Sequence, residues 1–146
     1  MLRKLFQTDK DVAGFIVRLT LGVVFLPHGL QKLLGLFGGA GFSETLHHFV
    51  QLGMPAVLAF LVIVGESFGA FGLLIGFLTR FCGFGIGLIM LGAIFLVHAQ
   101  NGFFMNWLGT RQGEGFEYHL LVLGLCVLAI IKGGGKWSLD GLLIKT

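Results

Sequence analysis

PAVLAFLVIVGESFGAFGLLIGFLTRFCGFGIGLIMLGAIFLVHA, residues 55–99, carries only two charged side chains, Glu66 and Arg80. A helix needs roughly 20 mostly apolar residues to cross a bilayer, so this run is long enough for two crossings. Thr79-Arg80 marks the connection between them. So short a link makes the two helices antiparallel neighbours in a hairpin. Outward from the hairpin, residues 12–36 and 116–131 are also apolar. The last of these rises only about 24 Å at 1.5 Å per residue, slightly less than the hydrocarbon core. A further helical turn or local thinning of the bilayer makes up the difference. The expected fold is all-α: one integral membrane domain over 1–146, a four-helix transmembrane bundle with spans at 12–36, 55–78, 81–99 and 116–131.

Composition agrees with that fold. The 146 residues are 55% hydrophobic and 12% charged, against about 25% charged in soluble domains. So few charges cannot cover the surface of a soluble protein. Arg3, Lys4 and Lys10 precede the first apolar run, as in a signal peptide, but Arg18 interrupts the run and no small-residue cleavage site follows. The first span is therefore read as uncleaved. Between the first two spans, Phe42, Leu46, Phe49 and Val50 recur at helical spacing, which predicts a short amphipathic helix over 42–50 on the outer interface. Arg3, Lys4, Lys10, Arg80, Lys132, Lys136 and Lys145 fall on one side of a four-span chain; Arg111 and Lys32 fall on the other. The excess of lysine and arginine places both termini in the cytoplasm.

Seven ionisable residues lie within or at the ends of these spans: Arg18, His28, Lys32, Glu66, His98, Glu117 and His119. A charge at a helix centre costs about 2.5–3.5 kcal/mol even on lenient insertion scales, so the deepest groups should face the bundle interior. Arg18, His28 and Lys32 fall within an arc of about 80° on the first helix. Glu66 lies about 18 Å and Arg18 about 9 Å above the inner ends of their helices. The remaining groups gather toward the outer face, as in a polar pocket that opens outward. Two long side chains can nearly bridge the depth between Arg18 and Glu66, which suggests a core ion pair. The bland alternatives are a purely structural pair, a snorkelling Lys32, and interfacial His98 and Glu117 wetted by water. Gly65, Gly69, Gly72 and Gly76 recur every three or four residues, spacing that lets membrane helices approach closely.

Other chemistry is not signalled. Cys82 and Cys126 stand alone in apolar runs with no C-x-x-C pair for thiol exchange. His28, His98 and His119 come from different helices without tight ligand spacing, so no metal or haem is expected. There is no glycine-rich phosphate loop after a strand, and no basic run interleaved with aromatics for nucleic acid.

Arg18, His28-Gly29, Lys32-Leu33, Gly53-Met54-Pro55 and Glu66 occur in that order, followed by Gly76-Phe77-Leu78-Thr79-Arg80. Asn101-Gly102-Phe103-Phe104, Gly113-Glu114-Gly115-Phe116-Glu117-Tyr118 and Trp137-Ser138-Leu139-Asp140 complete the series. Over nearly the whole chain these strings resemble the DoxX family of small bacterial membrane proteins. The resemblance implies four transmembrane helices and the bacterial inner membrane. It also implies an association with thiosulfate:quinone oxidoreductase and with complexes that handle thiols and oxidative stress. The polar positions it matches are Arg18, His28, Lys32, Glu66, Asn101 and Glu117, none with a transferable catalytic role. Lacking a cysteine pair, an oxidoreductase of this sequence would need a bound quinone or a partner redox subunit. Three functions remain open at this point: a small-molecule-binding or quinone-linked subunit, a solute or proton transporter acting as a homo-oligomer, and a non-catalytic scaffold. The candidate site comprises Arg18, His28, Lys32, Glu66, His98, Asn101, Glu117 and His119.

Overall fold

The computed structural model describes residues 5–144, which contain helices, turns and loops but no strand. Arg3, Lys4 and Lys145, used above for orientation, lie outside the described residues. Helix α1 spans Val12–Leu34 and starts where the Asp11 carboxylate accepts the Gly14 N–H at 2.7 Å. It stops at Gly35, whose φ of 71° is the left-handed conformation that ends many helices. Helix α2 covers Phe42–Gln51, with the Phe42 ring edge-on to Phe60 of the next helix at 6.1 Å. Helix α3, Ala56–Ile75, follows Pro55 and ends at Gly76, again left-handed. Residues 76–78 turn the chain into α4, Thr79–Ala93, which winds on through a π turn, Ile94–His98, and a 3-10 turn, Ala99–Asn101. Helix α5 is Glu117–Lys132, and a short α6 is Leu139–Leu143.

Three helices are long and apolar enough to cross a membrane: α1, α3, and α4 with its continuation to Asn101. Helix α5 has 16 residues. It is nonetheless part of the core, because α1 packs on α3, α3 on α4, α4 on α5, and α5 closes back on α1. Leu21, Phe25, Ala70, Leu73, Ile86 and Cys126 form the buried centre of this ring. Outside it, Phe68, Phe71, Phe84, Leu88 and Leu121 are exposed, so the surface is apolar as well as the core. Exposed apolar surface on this scale marks contact with something other than water.

Glycine spacing predicted close approach along α3, and half of that stripe is tight: a Cβ on Gly72 would lie 2.7 Å from Cys82 Sγ and one on Gly76 2.5 Å from the Ser138 Cβ. The tightest contact between α1 and α3 comes from glycines on α1. A Cβ on Gly29 would lie 2.6 Å from the Ser67 backbone, and one on Gly22 2.7 Å from the Leu74 side chain. Gly65 and Gly69 leave ordinary contact distances of 3.4 and 3.6 Å to Ile89 and Ile86. Bulky isoleucines on α4 fill the space opposite those two glycines, so the backbones there stay apart.

Candidate functional site

Arg18 does not pair with Glu66, contrary to the expected core ion pair. Its guanidinium is 1% exposed and is surrounded by backbone carbonyls at the end of the bundle where α1 begins. Nε donates to Gly134 O at 2.7 Å, and Nη1 donates to Leu73 O at 3.1 Å and Leu74 O at 2.5 Å. Nη2 donates to Lys136 O at 3.2 Å and Trp137 O at 2.9 Å. These oxygens point inward because the chain after α5 turns through Gly133, Gly135 and Trp137, all with positive φ. Five near acceptors outcompete one distant carboxylate. The carboxylate that acts on Arg18 electrostatically is Asp140, itself 1% exposed. Asp140 accepts the Leu78 and Thr79 N–H groups at 2.7 and 2.9 Å and so caps α4. This end of the bundle is a closed structural knot.

Glu66 pairs instead with Lys32 across α1 and α3, at 2.7 Å. Glu66 is 5% exposed, while a quarter of the Lys32 side chain remains accessible. Lys32 is thus committed to a buried carboxylate, and snorkelling alone does not describe it. Next to Glu66, the Ser67 hydroxyl donates within reach of Gly29 O, 3.0 Å, and Ile63 O, 2.7 Å. Glu66 also lies within electrostatic reach of Tyr118 on α5.

His98 and His119 meet across α4 and α5, with ring centroids 4.2 Å apart. The π turn over Ile94–His98 inserts an extra residue just before His98, and such turns recur at functional sites. His98 Nδ1 lies 2.9 Å from Glu114 O, so that nitrogen carries the proton. His119 is 6% exposed, and its Nδ1 has no hydrogen-bond partner. The buried Tyr118 hydroxyl oxygen, edge-on beside it, also has none. A buried polar atom left this way costs about 1–3 kcal/mol, so it marks a place for water or a ligand.

The remaining candidates do other work. Asn101 donates to Glu114 O at 3.1 Å, and the Glu117 carboxylate accepts the Met105 N–H at 2.9 Å. With Glu114 accepting the Asn106 N–H at 2.6 Å, they pin the loop 102–116 over the end of the bundle. His28 is exposed, and its nearest ring is Phe25 at 6.4 Å. Lys32, Glu66, His98 and His119 therefore make up the polar group, joined by Tyr118 and Ser67; Glu66, Ser67 and His119 are buried, and Lys32, His98 and Tyr118 are half-buried. Sequence reasoning missed Tyr118 and Ser67. Tyr118 stood in a quoted string between Glu117 and His119, and that adjacency was its only signal. Among the described residues, no group of three or more His, Cys, Asp or Glu side chains is placed to hold a metal ion.

These features define an all-helical membrane protein with one end sealed by an arginine and a polar cluster buried toward the other. The DoxX family model matches residues 13–99, more than half the chain, and the chain belongs to that family. It is similar to the "Inner membrane protein YqjF" of Escherichia coli (strain K12), 31% identical over 93% of this chain and 95% of the relative. It is also similar to the "Putative oxidoreductase CatD" of Bacillus subtilis (strain 168), 27% identical over 92% of this chain and 90% of the relative. A third relative is the "Uncharacterized membrane protein Rv3486" of Mycobacterium tuberculosis, 30% identical over 97% and 88%. No solved structure shows a significant match.

Proposed function

We propose that this chain crosses the bacterial inner membrane four times, with both termini cytoplasmic, and binds a small molecule as a quinone-linked subunit of a redox or thiol-stress complex. The observation that carries the reading is the pair of orphaned buried atoms, His119 Nδ1 and the Tyr118 hydroxyl oxygen, beside the Lys32–Glu66 ion pair. Hydrogen-bonding groups of this kind suit a ligand that presents oxygen atoms, as a quinone does. Lys32 and Glu66 would fix the charge balance of the pocket floor, because two paired charges persist in low dielectric where one does not. Cys82 and Cys126 are free and sit on different helices, so electrons would travel through a bound molecule or a partner subunit. The name of the Bacillus subtilis relative fits a redox setting.

The transporter alternative receives less support. Between Glu66 and the Arg18 knot stand Leu21, Phe25, Ala70 and Leu73, all 2% exposed or less, with no polar path through them. For the topology, α5 needs only modest thinning of the bilayer, and its packing between α4 and α1 gives it the surroundings of the three longer helices. Trp137 and Trp107, 73% and 84% exposed, stand at opposite ends of the bundle, where interfacial tryptophans belong.

The test is to purify the protein from its native membrane in mild detergent, record its optical spectrum, and identify extracted small molecules by mass spectrometry. A lipid-soluble quinone at a stoichiometric ratio is the expected result. Protein that is folded and carries no small molecule would reject the binding role.

A further inference from the structure

We infer that the seam between α4 and α5 forms the second half of this site: a groove that holds the apolar chain of an amphiphile whose neutral, oxygen-bearing head lies at His98 and His119. The inference rests on the binding role proposed above and adds the ligand's tail, its charge and its route of entry. The groove has a volume of about 150 Å³ and presents only apolar surface, from Gly87, Leu88 and Leu91 on α4 and Leu123, Cys126 and Val127 on α5. A space of that size takes an apolar group about as large as a benzene ring.

The floor and the lips of the groove differ in kind. Below it the helices touch: a Cβ on Gly83 would lie 3.2 Å from the Ala129 Cβ, and one on Gly87 3.6 Å from the Cys126 Cβ. Leu88 and Val127, each 52% exposed, form the lips on the bundle surface. The groove is therefore closed toward the core and open toward the bilayer, from which a chain can enter sideways.

The same seam becomes polar at its outer end. His119 lies one turn beyond Leu123, about 6 Å along the axis, and His98 lies seven residues beyond Leu91. The groove lining stops at Leu91 and Leu123, and the two imidazoles meet across the same seam beyond that end. The unpartnered Nδ1 of His119, a residue only 6% exposed, supplies a hydrogen-bonding position there. An apolar trough ending in an unsatisfied polar group matches the two halves of an amphiphile, and neither feature alone does so.

Charge selects the head group. Lys32 is held by Glu66, Arg111 donates to Phe104 O in the loop, and Arg18 is spent on carbonyls at the opposite end. Among the described residues no lysine or arginine is left free beside the histidines, so a carboxylate or phosphate head would be uncompensated. A neutral carbonyl or hydroxyl head needs no such partner.

Competition photolabelling in lipid nanodiscs tests this, with a photoreactive decyl-benzoquinone as the probe. Unlabelled decyl-benzoquinone should compete about tenfold better than a benzoquinone without a chain, and decanoate should not compete. Leu88→Trp and Val127→Trp change lipid-facing residues and fill the groove. Each should reduce the chain-bearing quinone to the affinity of the chainless one and leave the chainless one unchanged. His119→Phe should weaken both. If Leu88→Trp and Val127→Trp leave decyl-benzoquinone binding intact, the groove is not the tail site, although the head site stands. Equal competition by decanoate would overturn the neutral head. Absence of saturable binding by either quinone to the unaltered protein would overturn this inference together with the proposed function.

Discussion

Arg18 is buried in a segment where lipid would otherwise be, yet its partners are neutral. A guanidinium offers five N–H donors in a fixed plane, and five carbonyls from the loop after α5 and the end of α3 take them. Lysine has three donors on a flexible stem and cannot span that arrangement. Arg18→Lys should lower stability by about 3 kcal/mol, read as a fall in thermal unfolding temperature in mild detergent. An unchanged unfolding temperature would show that the carbonyl cradle is incidental. The sequence made Arg18 conspicuous by its depth, but its partners were illegible. Carbonyl acceptors exist at every position, and only the turn through Gly133, Gly135 and Trp137 aims these particular ones inward. Glu66 was equally visible, and its pairing with Lys32 was hidden for a related reason. Helical rise gives depth on each helix, whereas the choice of partner depends on how two helices are rotated about their axes.

At the level of elements, the start of α1 and the end of α5 are tied together by Lys132, which pairs chiefly with Asp11 and, at 3.9 Å, with Asp9. The Lys132 ammonium hydrogen-bonds the Asp11 carboxylate, and the Gly14 N–H adds a second bond. Lys132 and then Gly14 hold the Asp11 carboxyl below its ordinary value of 3.8, and Asp11 in turn raises Lys132 above 10.5. A depressed acid stabilises the fold above its unfolded pKa and loses that contribution as pH falls through the folded value. A raised lysine contributes below its unfolded pKa and loses it as pH rises through the folded value. The tie should therefore be intact across neutral pH and fail only below about 3.8 or above about 10.5. Asp11→Asn keeps an acceptor for Gly14 and removes the charge pair. Its unfolding temperature should fall short of the unaltered protein's at pH 7, with the gap closing as pH drops below 4. A constant gap would exclude the pair as the cause. The helices themselves were legible from apolar run length, but their ends were not: the spans were read to 36 and 78, whereas left-handed Gly35 and Gly76 stop α1 and α3 earlier. The π turn before His98 was not, because Ile94–His98 has the composition of any membrane helix.

For the whole molecule, the four crossings proposed above would place residues 112 and 136 on opposite sides of the membrane. In a background with Cys82→Ala and Cys126→Ala, a cysteine replacing Gln112 should react with an impermeant maleimide in intact cells. One replacing Lys136 should react only after the membrane is breached. Reaction of both in intact cells would rule out the fourth crossing. Length, apolar runs and charge placement determined that this chain is a helical membrane protein, because lipid leaves the backbone few ways to satisfy its hydrogen bonds. Ordered strings of residues likewise pointed to the DoxX family. Only the tertiary structure decided which ionisable groups meet: Lys32 with Glu66, His98 with His119, Arg18 with none of them. Those choices rest on helix rotation, on the approach that Gly22 and Gly29 allow, and on loop carbonyls far away in the chain. No run of adjacent residues encodes them.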